Sequence, residues 1–393
     1  MATAKYFSII QALCRSMLAS APEITEHQIK RLIEAYKKDG NAEEAKSLEG
    51  ILKSAKKKQD ITVSRIRTSS VLIGEELVPN IPIPVDKETA APLLEIFFSH
   101  QLPKVAPLFD KEIEDAVNSV IAEWINYGKL VELKATPSRS CLIFGSPGTG
   151  KTHLAKWIAK EVGLPVVLAR LDGIVSSFLG TSSRNISNLF QFANRYRCVL
   201  LLDEFDAIAK LRNDPQEVGE VKRIVNTLLQ NLDERNEIGF TIGVTNHEHL
   251  LDPAIWRRFD VQIEIPKPSM NVITILLQKF LDPLDYTDVE LKFLSWCLQG
   301  SSGADIQKLS NWLKRMKIID ENKNESLIEL MKRYTILNTG RISERVKSLI
   351  ESSHEILCTA LLDADEFEFK KKDIAQIFNM TPSSLSKQIS KNK

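Results

Sequence analysis

The chain has almost no charge bias: 52 lysines and arginines face 51 aspartates and glutamates over 393 residues. Such a balance gives no global pull toward nucleic acid or a membrane surface. Cysteine is scarce and scattered, at Cys14, Cys141, Cys198, Cys297 and Cys358, with no C-x-x-C spacing, and the six histidines do not cluster with them. This excludes a disulfide framework and predicts a reduced, cytoplasmic protein with no metal on its cysteines. No apolar run approaches the length of a membrane helix, so no membrane partner is expected. The N-terminus mimics a signal peptide through Lys5 and Ala19-Ser20-Ala21, but Gln11, Arg15 and Ser16 interrupt the apolar region and Pro22 would follow the cut. An amphipathic helix is the better reading. There is no G-x-S-x-G, no H-E-x-x-H and no internal repeat, so the chain carries no protease signature of its own.

At this length two or three domains are expected. Residues 1–57 read as a helical module. Phe7, Ile10, Leu13 and Met17 form one apolar stripe, Ile29, Leu32, Ile33 and Tyr36 a second, and Leu48, Ile51 and Leu52 a third. Residues 58–92, with Lys56-Lys57-Lys58 at their start and Pro79, Pro82, Pro84 and Pro92, read as an exposed linker holding at most one strand. Over 93–268 helical stretches alternate with β-rich runs at 141–144, 165–170, 198–202, 240–245 and 261–265. That alternation predicts an α/β domain with a parallel sheet covered on both faces. Residues 269–337 and 338–393 are helical in pattern.

What the sequence does hold is a complete phosphate-binding loop. Gly145-Ser146-Pro147-Gly148-Thr149-Gly150-Lys151-Thr152 fits G-x-x-x-x-G-K-[ST]. It follows the apolar run Cys141–Phe144 and precedes a helical pattern with Leu154, Ile158 and Val162 on one face. Glycines allow the tight turn that points successive N–H groups at phosphate oxygens, and the helix start adds its dipole. Lys151 would reach the β- and γ-phosphates of ATP and the Thr152 hydroxyl would ligate Mg²⁺. The competing reading is a glycine-rich turn that binds nothing. About fifty residues on, the strand Cys198–Leu202 ends in Asp203-Glu204. After a phosphate loop this pattern places Asp203 beside Mg²⁺ and Glu204 where it polarises the attacking water; alone it would be a helix cap. Asp206 would be a cap or an intersubunit contact. Asn246 ends the strand pattern Thr241–Thr245 and is a candidate for holding the lytic water, or a plain turn residue. Arg257-Arg258, just before a short strand, suit an arginine finger from a neighbouring subunit; the alternative is a surface ion pair with Asp260.

Together with Ser302-Gly303-Ala304-Asp305-Ile306, these motifs resemble an AAA ATPase over roughly residues 93–320. They are similar to the protein-remodelling subgroup that includes katanin, spastin and membrane-bound bacterial protease ATPases. The resemblance implies a P-loop NTPase α/β domain with a helical lid, and a homo-oligomer, a hexamer, with ATP at each subunit junction. His153 falls in the nucleotide-binding stretch, and Gly303-Ala304 match the lid position that faces the nucleotide. Phe178-Leu179-Gly180 match a pore-loop triplet that grips a polypeptide substrate; the alternative is that Phe178 packs in the core. Where that family continues Gly-Glu-Ser-Glu, this chain has Gly180-Thr181-Ser182-Ser183, which leaves Arg184 a weak candidate for coupling subunits. Arg170–Gly173, Asp203–Ala209, Val218–Asn226 and Thr245-Asn246-His247 further resemble bacterial stand-alone AAA ATPases encoded beside subtilisin-like serine proteases. That resemblance implies a protease partner and a role in defence against phage. The segment Pro103–Leu108 departs from better-known relatives and leaves the adenine contacts unassigned.

Residues 373–389 read as a helix-turn-helix. Ile374, Ala375 and Phe378 would face Met380, Leu385 and Ile389, Thr381 would cap the second helix, and Pro382 would open it. Lys370, Lys371, Lys372, Lys387, Lys391 and Lys393 make residues 370–393 a candidate DNA contact. A helical hairpin packed on the lid or on a partner is the equal alternative.

Overall fold

The computed structural model describes residues 29–30, 32–37, 74–171, 179–206, 218–319 and 325–385, with backbone only for 179–180, 218–222 and 236–238. The chain divides into two compact units, Met1–Arg67 and Thr68–Lys393. In the first, the described backbone is helical, and Leu32 and Ile33 are buried as the second apolar stripe requires.

The larger unit begins with β1 (Leu94–Phe97), α1 (Lys111–Ile125) and α2 (Tyr127–Glu132). Strands and helices then alternate through β2 (Ser140–Phe144), α3 (Lys151–Val162), β3 (Val166–Ala169), α4 (Leu179–Arg195), β4 (Val199–Leu202), α5 (Val218–Ile238), β5 (Phe240–Thr245), α6 (Pro253–Trp256) and β6 (Val261–Glu264). The strand order is β1-β3-β4-β5-β2-β6. All neighbours pair in parallel except β1, which runs antiparallel to β3. The sheet is buried on both faces, which explains the unbroken apolar runs of β4 and β5. Alternate residues serve opposite cores. Leu200 and Leu202 pack with the α4 and α5 residues Phe190 and Leu228. Val199 and Leu201 pack with the α1 and α3 residues Trp124 and Ile158. Trp124 stacks on Phe240 at 4.3 Å between ring centroids.

The structure departs from the linker expected over 58–92. From Gly74 onward the chain packs on the α/β domain. The Glu75 amide donates to Arg195 O at 2.9 Å and Arg197 N donates to Glu75 O at 2.9 Å. Leu77 is buried, and the buried Asp86 carboxylate accepts from Asn185 Nδ2 at 3.1 Å and from Glu88 N at 2.7 Å. Prolines here shape an extended strap that lies against protein.

The α-helices that follow are α7 (Met270–Leu281), α8 (Asp288–Cys297), α9 (Gly303–Ile319), α10 (Leu327–Leu337), α11 (Glu344–Glu351), α12 (His354–Leu362) and α13 (Lys371–Ile377). One apolar cluster runs through them from Ile273 to Leu385, across the 337/338 boundary drawn from the sequence. Ile374, Ala375, Phe378 and Leu385 belong to it. The Ser384 amide donates to Thr381 Oγ1 at 3.3 Å, where backbone 382–385 turns helical; residues 386–393 lie outside the described chain. Cys141, Cys198, Cys297 and Cys358 are buried, and burial pushes the Cys141 thiol up to about 12 and the Cys358 thiol to about 11. Such thiols are unreactive.

Candidate nucleotide site

The phosphate loop is cut to glycine by its surroundings. Gly145 has φ +132°, and a Cβ there would lie 2.3 Å from the Ile265 carbonyl oxygen. Gly148, at φ +78°, would place a Cβ 2.7 Å from Ser302 Oγ, and Gly150 opens α3 at φ +93°. Lys151 is buried, and its ammonium donates to Gly145 O at 2.8 Å and Ser146 O at 2.6 Å. Burial lowers its pKa, while Asp203, Glu248 and Asp206 pull the other way. Thr149 Oγ1 donates to Ser146 O at 3.0 Å and closes the turn.

β4 delivers the acids to this loop. Thr152 Oγ1 donates to Asp203 Oδ2 at 2.9 Å. A hydroxyl and a carboxylate side by side, next to a phosphate cradle, are the oxygen donors a hard divalent cation takes, so Thr152 and Asp203 fit Mg²⁺. Glu204 is exposed and sits at φ +51°. Its amide donates to Asp203 Oδ1 at 3.0 Å.

Pro147, Gly148, Thr149, Gly150, Lys151, Thr152 and His153 form one wall of a cleft of about 530 Å³, with Asp203, Glu204 and Asn246 beside them and Gly303 and Ala304 on the lid side. The lid touches the loop directly, because Ala304 N donates to Gly148 O at 3.0 Å. Gly145 and Ser146 lie beneath, facing Lys151 through their carbonyls. The part of the site unassigned from sequence is here too. Residues 105–109 and the α7 residues Leu276, Lys279 and Phe280 line the cleft, together with Gln307. His153 Nε2 donates to Val105 O at 3.0 Å and ties α3 to that segment. The apolar face of α7 was a visible signal; its direction toward the cleft was not.

Other expected residues lie elsewhere. Neither Arg257 nor Arg258 lines the cleft. Arg257 is exposed. Arg258 donates to Asp233 at 3.0 and 3.2 Å and to Ala254 O at 3.2 Å. The ion pair with Asp260, the alternative to a finger, is not formed; Arg258 pairs with Asp233. Asp260 instead accepts from Arg139 N at 2.8 Å and Ser140 Oγ at 3.0 Å at the start of β2. Phe178 lies outside the described residues, and Leu179-Gly180 are described only as the backbone that opens α4.

Residues 141–267 match the family model for the ATPase family associated with various cellular activities. An uncharacterised AAA family ATPase of Sinorhizobium fredii is 31% identical over 75% of this chain and 90% of its own length. The chain belongs to the AAA ATPase family. A proteasome-activating nucleotidase of Archaeoglobus fulgidus is 28% identical over 68% of this chain and 73% of its own. The ATP-dependent zinc metalloprotease FtsH of Aquifex aeolicus is 31% identical over 58% of this chain but only 38% of its own. This AAA ATPase shares with them the α/β P-loop fold. Among the described residues no helix is long and apolar enough to cross a membrane.

Proposed function

We propose that this AAA ATPase is a cytoplasmic protein remodeller that works as a homo-oligomeric ring, a hexamer, and threads a polypeptide substrate through its centre. The observation that carries the ring is the cleft itself. It holds Lys151, Asp203, Glu204 and Asn246 but has no arginine among the described residues that line it, while Arg257 stands exposed on the same domain. A phosphoryl-transfer site gains much of its charge stabilisation from an arginine supplied in trans. With ATP bound, the loop amides and Lys151 hold the phosphates. Thr152 and Asp203 would hold Mg²⁺, which would neutralise charge on the phosphate oxygens. Glu204 orients and deprotonates water, Asn246 holds that water, and Arg257 of a neighbour reaches the junction.

Threading is supported by the sequence Phe178-Leu179-Gly180, whose last two residues open α4, and by relatives named as a proteasome-activating nucleotidase and an ATP-dependent zinc metalloprotease. A subtilisin-like serine protease is the partner the loop sequences favour, in a defence setting. The second reading is an ATP-dependent DNA-binding switch. Exposed Lys370, Lys371 and Lys372 at the start of α13, with the Thr381 turn after its end, favour it. Phe178→Ala and a triple Lys370→Ala/Lys371→Ala/Lys372→Ala variant, at exposed positions, separate the two. An exposed aromatic offers an extended chain sequence-independent apolar contact. Phe178→Ala should therefore spare basal ATPase and assembly but abolish stimulation by an unfolded protein such as casein. The lysine variant should spare stimulation. Full stimulation of Phe178→Ala, with loss of salt-sensitive duplex binding in the lysine variant, would replace threading by the DNA switch.

A further inference from the structure

We propose that Thr245, Asp206 and His247 form a positioning unit that holds Glu204 and Asn246 in register for hydrolysis, an inference that rests on the roles given to Glu204 and Asn246 above. The unit lies where β4 and β5 end. Thr245 is wholly buried. Its hydroxyl donates to Asp206 Oδ1 at 3.3 Å and accepts from the His247 amide at 3.0 Å. Asp206 is 5% exposed, and its second oxygen lies 3.9 Å from His247 Nε2. The Phe205 amide donates to Val244 O at 2.9 Å, which fastens the same turn to β5.

Two catalytic residues are thereby bracketed. Asn246 sits between Thr245 and His247, both of which engage the unit. Glu204 sits between Asp203, which is bound by Thr152, and Phe205, which is bound by Val244. Glu204 also keeps a left-handed backbone at φ +51°, a conformation a non-glycine residue holds only where its surroundings over-determine it. A buried carboxylate this close to a phosphate cradle repels an incoming anion, so binding is not what Asp206 favours. Orientation is what it supplies: one carboxylate and one hydroxyl join the turn that carries the base to the turn that carries the water-holding amide. Reaction rates fall steeply when such groups drift, by about a hundredfold per ångström.

The full chain is assayed for steady-state ATPase with Mg²⁺, for ADP affinity and for melting temperature, with Glu204→Gln as the reference. Thr245→Val should lower kcat by about tenfold to a hundredfold while leaving KM and ADP affinity within about twofold. Thr245→Ser, which keeps the hydroxyl, should recover most of kcat. His247→Ala, at a half-exposed position, should keep the melting temperature and lose about threefold to fivefold in kcat. If Thr245→Val does not fold, His247→Ala decides alone. Unchanged kcat in these variants beside an inactive Glu204→Gln overturns the proposal and leaves the base assignment standing. Loss of kcat in step with melting temperature, without recovery in Thr245→Ser, marks a plain core role and also overturns it. Normal turnover in Glu204→Gln removes the base assignment, and the proposal with it.

Discussion

A methyl group at residue 145 would meet the Ile265 carbonyl at 2.3 Å, and one at residue 148 would meet Ser302. Single residues in this site are therefore fixed by what lies against them, and their effects should separate cleanly. Lys151→Ala removes the ammonium beside the phosphates and should weaken ATP binding. Glu204→Gln keeps the shape but loses the base, so ATP should bind normally while kcat falls by about 10²- to 10⁴-fold. Equilibrium nucleotide binding and steady-state turnover on both variants check this, and a Glu204→Gln protein with near-normal turnover would refute the assignment. At this scale the loop glycines, Lys151, Thr152, Asp203 and Glu204 were legible because fixed spacing places them between a strand and a helix. The Asp233 partner of Arg258 was not. It lies 25 residues away and meets the arginine only through the fold.

Among elements, the inner strands were legible because burial on both faces leaves them continuously apolar. β1 was not. It is an edge strand, Leu94–Phe97, with an exposed Glu95, and it follows prolines that suggested a loop. The same prolines hid the strap at 74–92, whose contacts depend on Leu77 and on the buried Asp86. Arg235 is a further case. It is 1% exposed on α5 and donates to Ala193 O at 2.8 Å, Cys198 O at 2.7 Å and Phe240 O at 3.5 Å. One guanidinium thus joins the end of α4 to the starts of β4 and β5. Arg235→Met fills similar space but removes the charged donor from these buried carbonyls. Charged hydrogen bonds of this kind carry about 1.5–3 kcal/mol each, so urea unfolding should show a loss of at least about 2 kcal/mol. A loss under about 0.5 kcal/mol, the level of an ordinary surface substitution, would contradict the stitching role.

At the scale of the larger unit, the two cores of the α/β domain and the core of the C-terminal helices meet at the phosphate loop. The lid reaches the phosphate loop through Ala304 N to Gly148 O, and Ser302 is held by Asp305, which Arg341 engages at 2.9 Å. The far wall of the cleft was illegible because residues 105–109 and the α7 side chains gather there through packing rather than through a motif. The arginine finger belongs to the proposed ring: neither Arg257 nor Arg258 lines the cleft of its own chain. The central claim is that each site is completed by its neighbour. Arg257→Ala and Glu204→Gln should each be nearly inactive alone while still binding ATP. Mixed in equal amounts, they place an intact Glu204 opposite an intact Arg257 at about a quarter of the junctions of a ring. Steady-state ATPase of the mixture should then rise well above that of either variant. Full turnover of Arg257→Ala alone, as a monomer, or no recovery on mixing, would contradict the shared site.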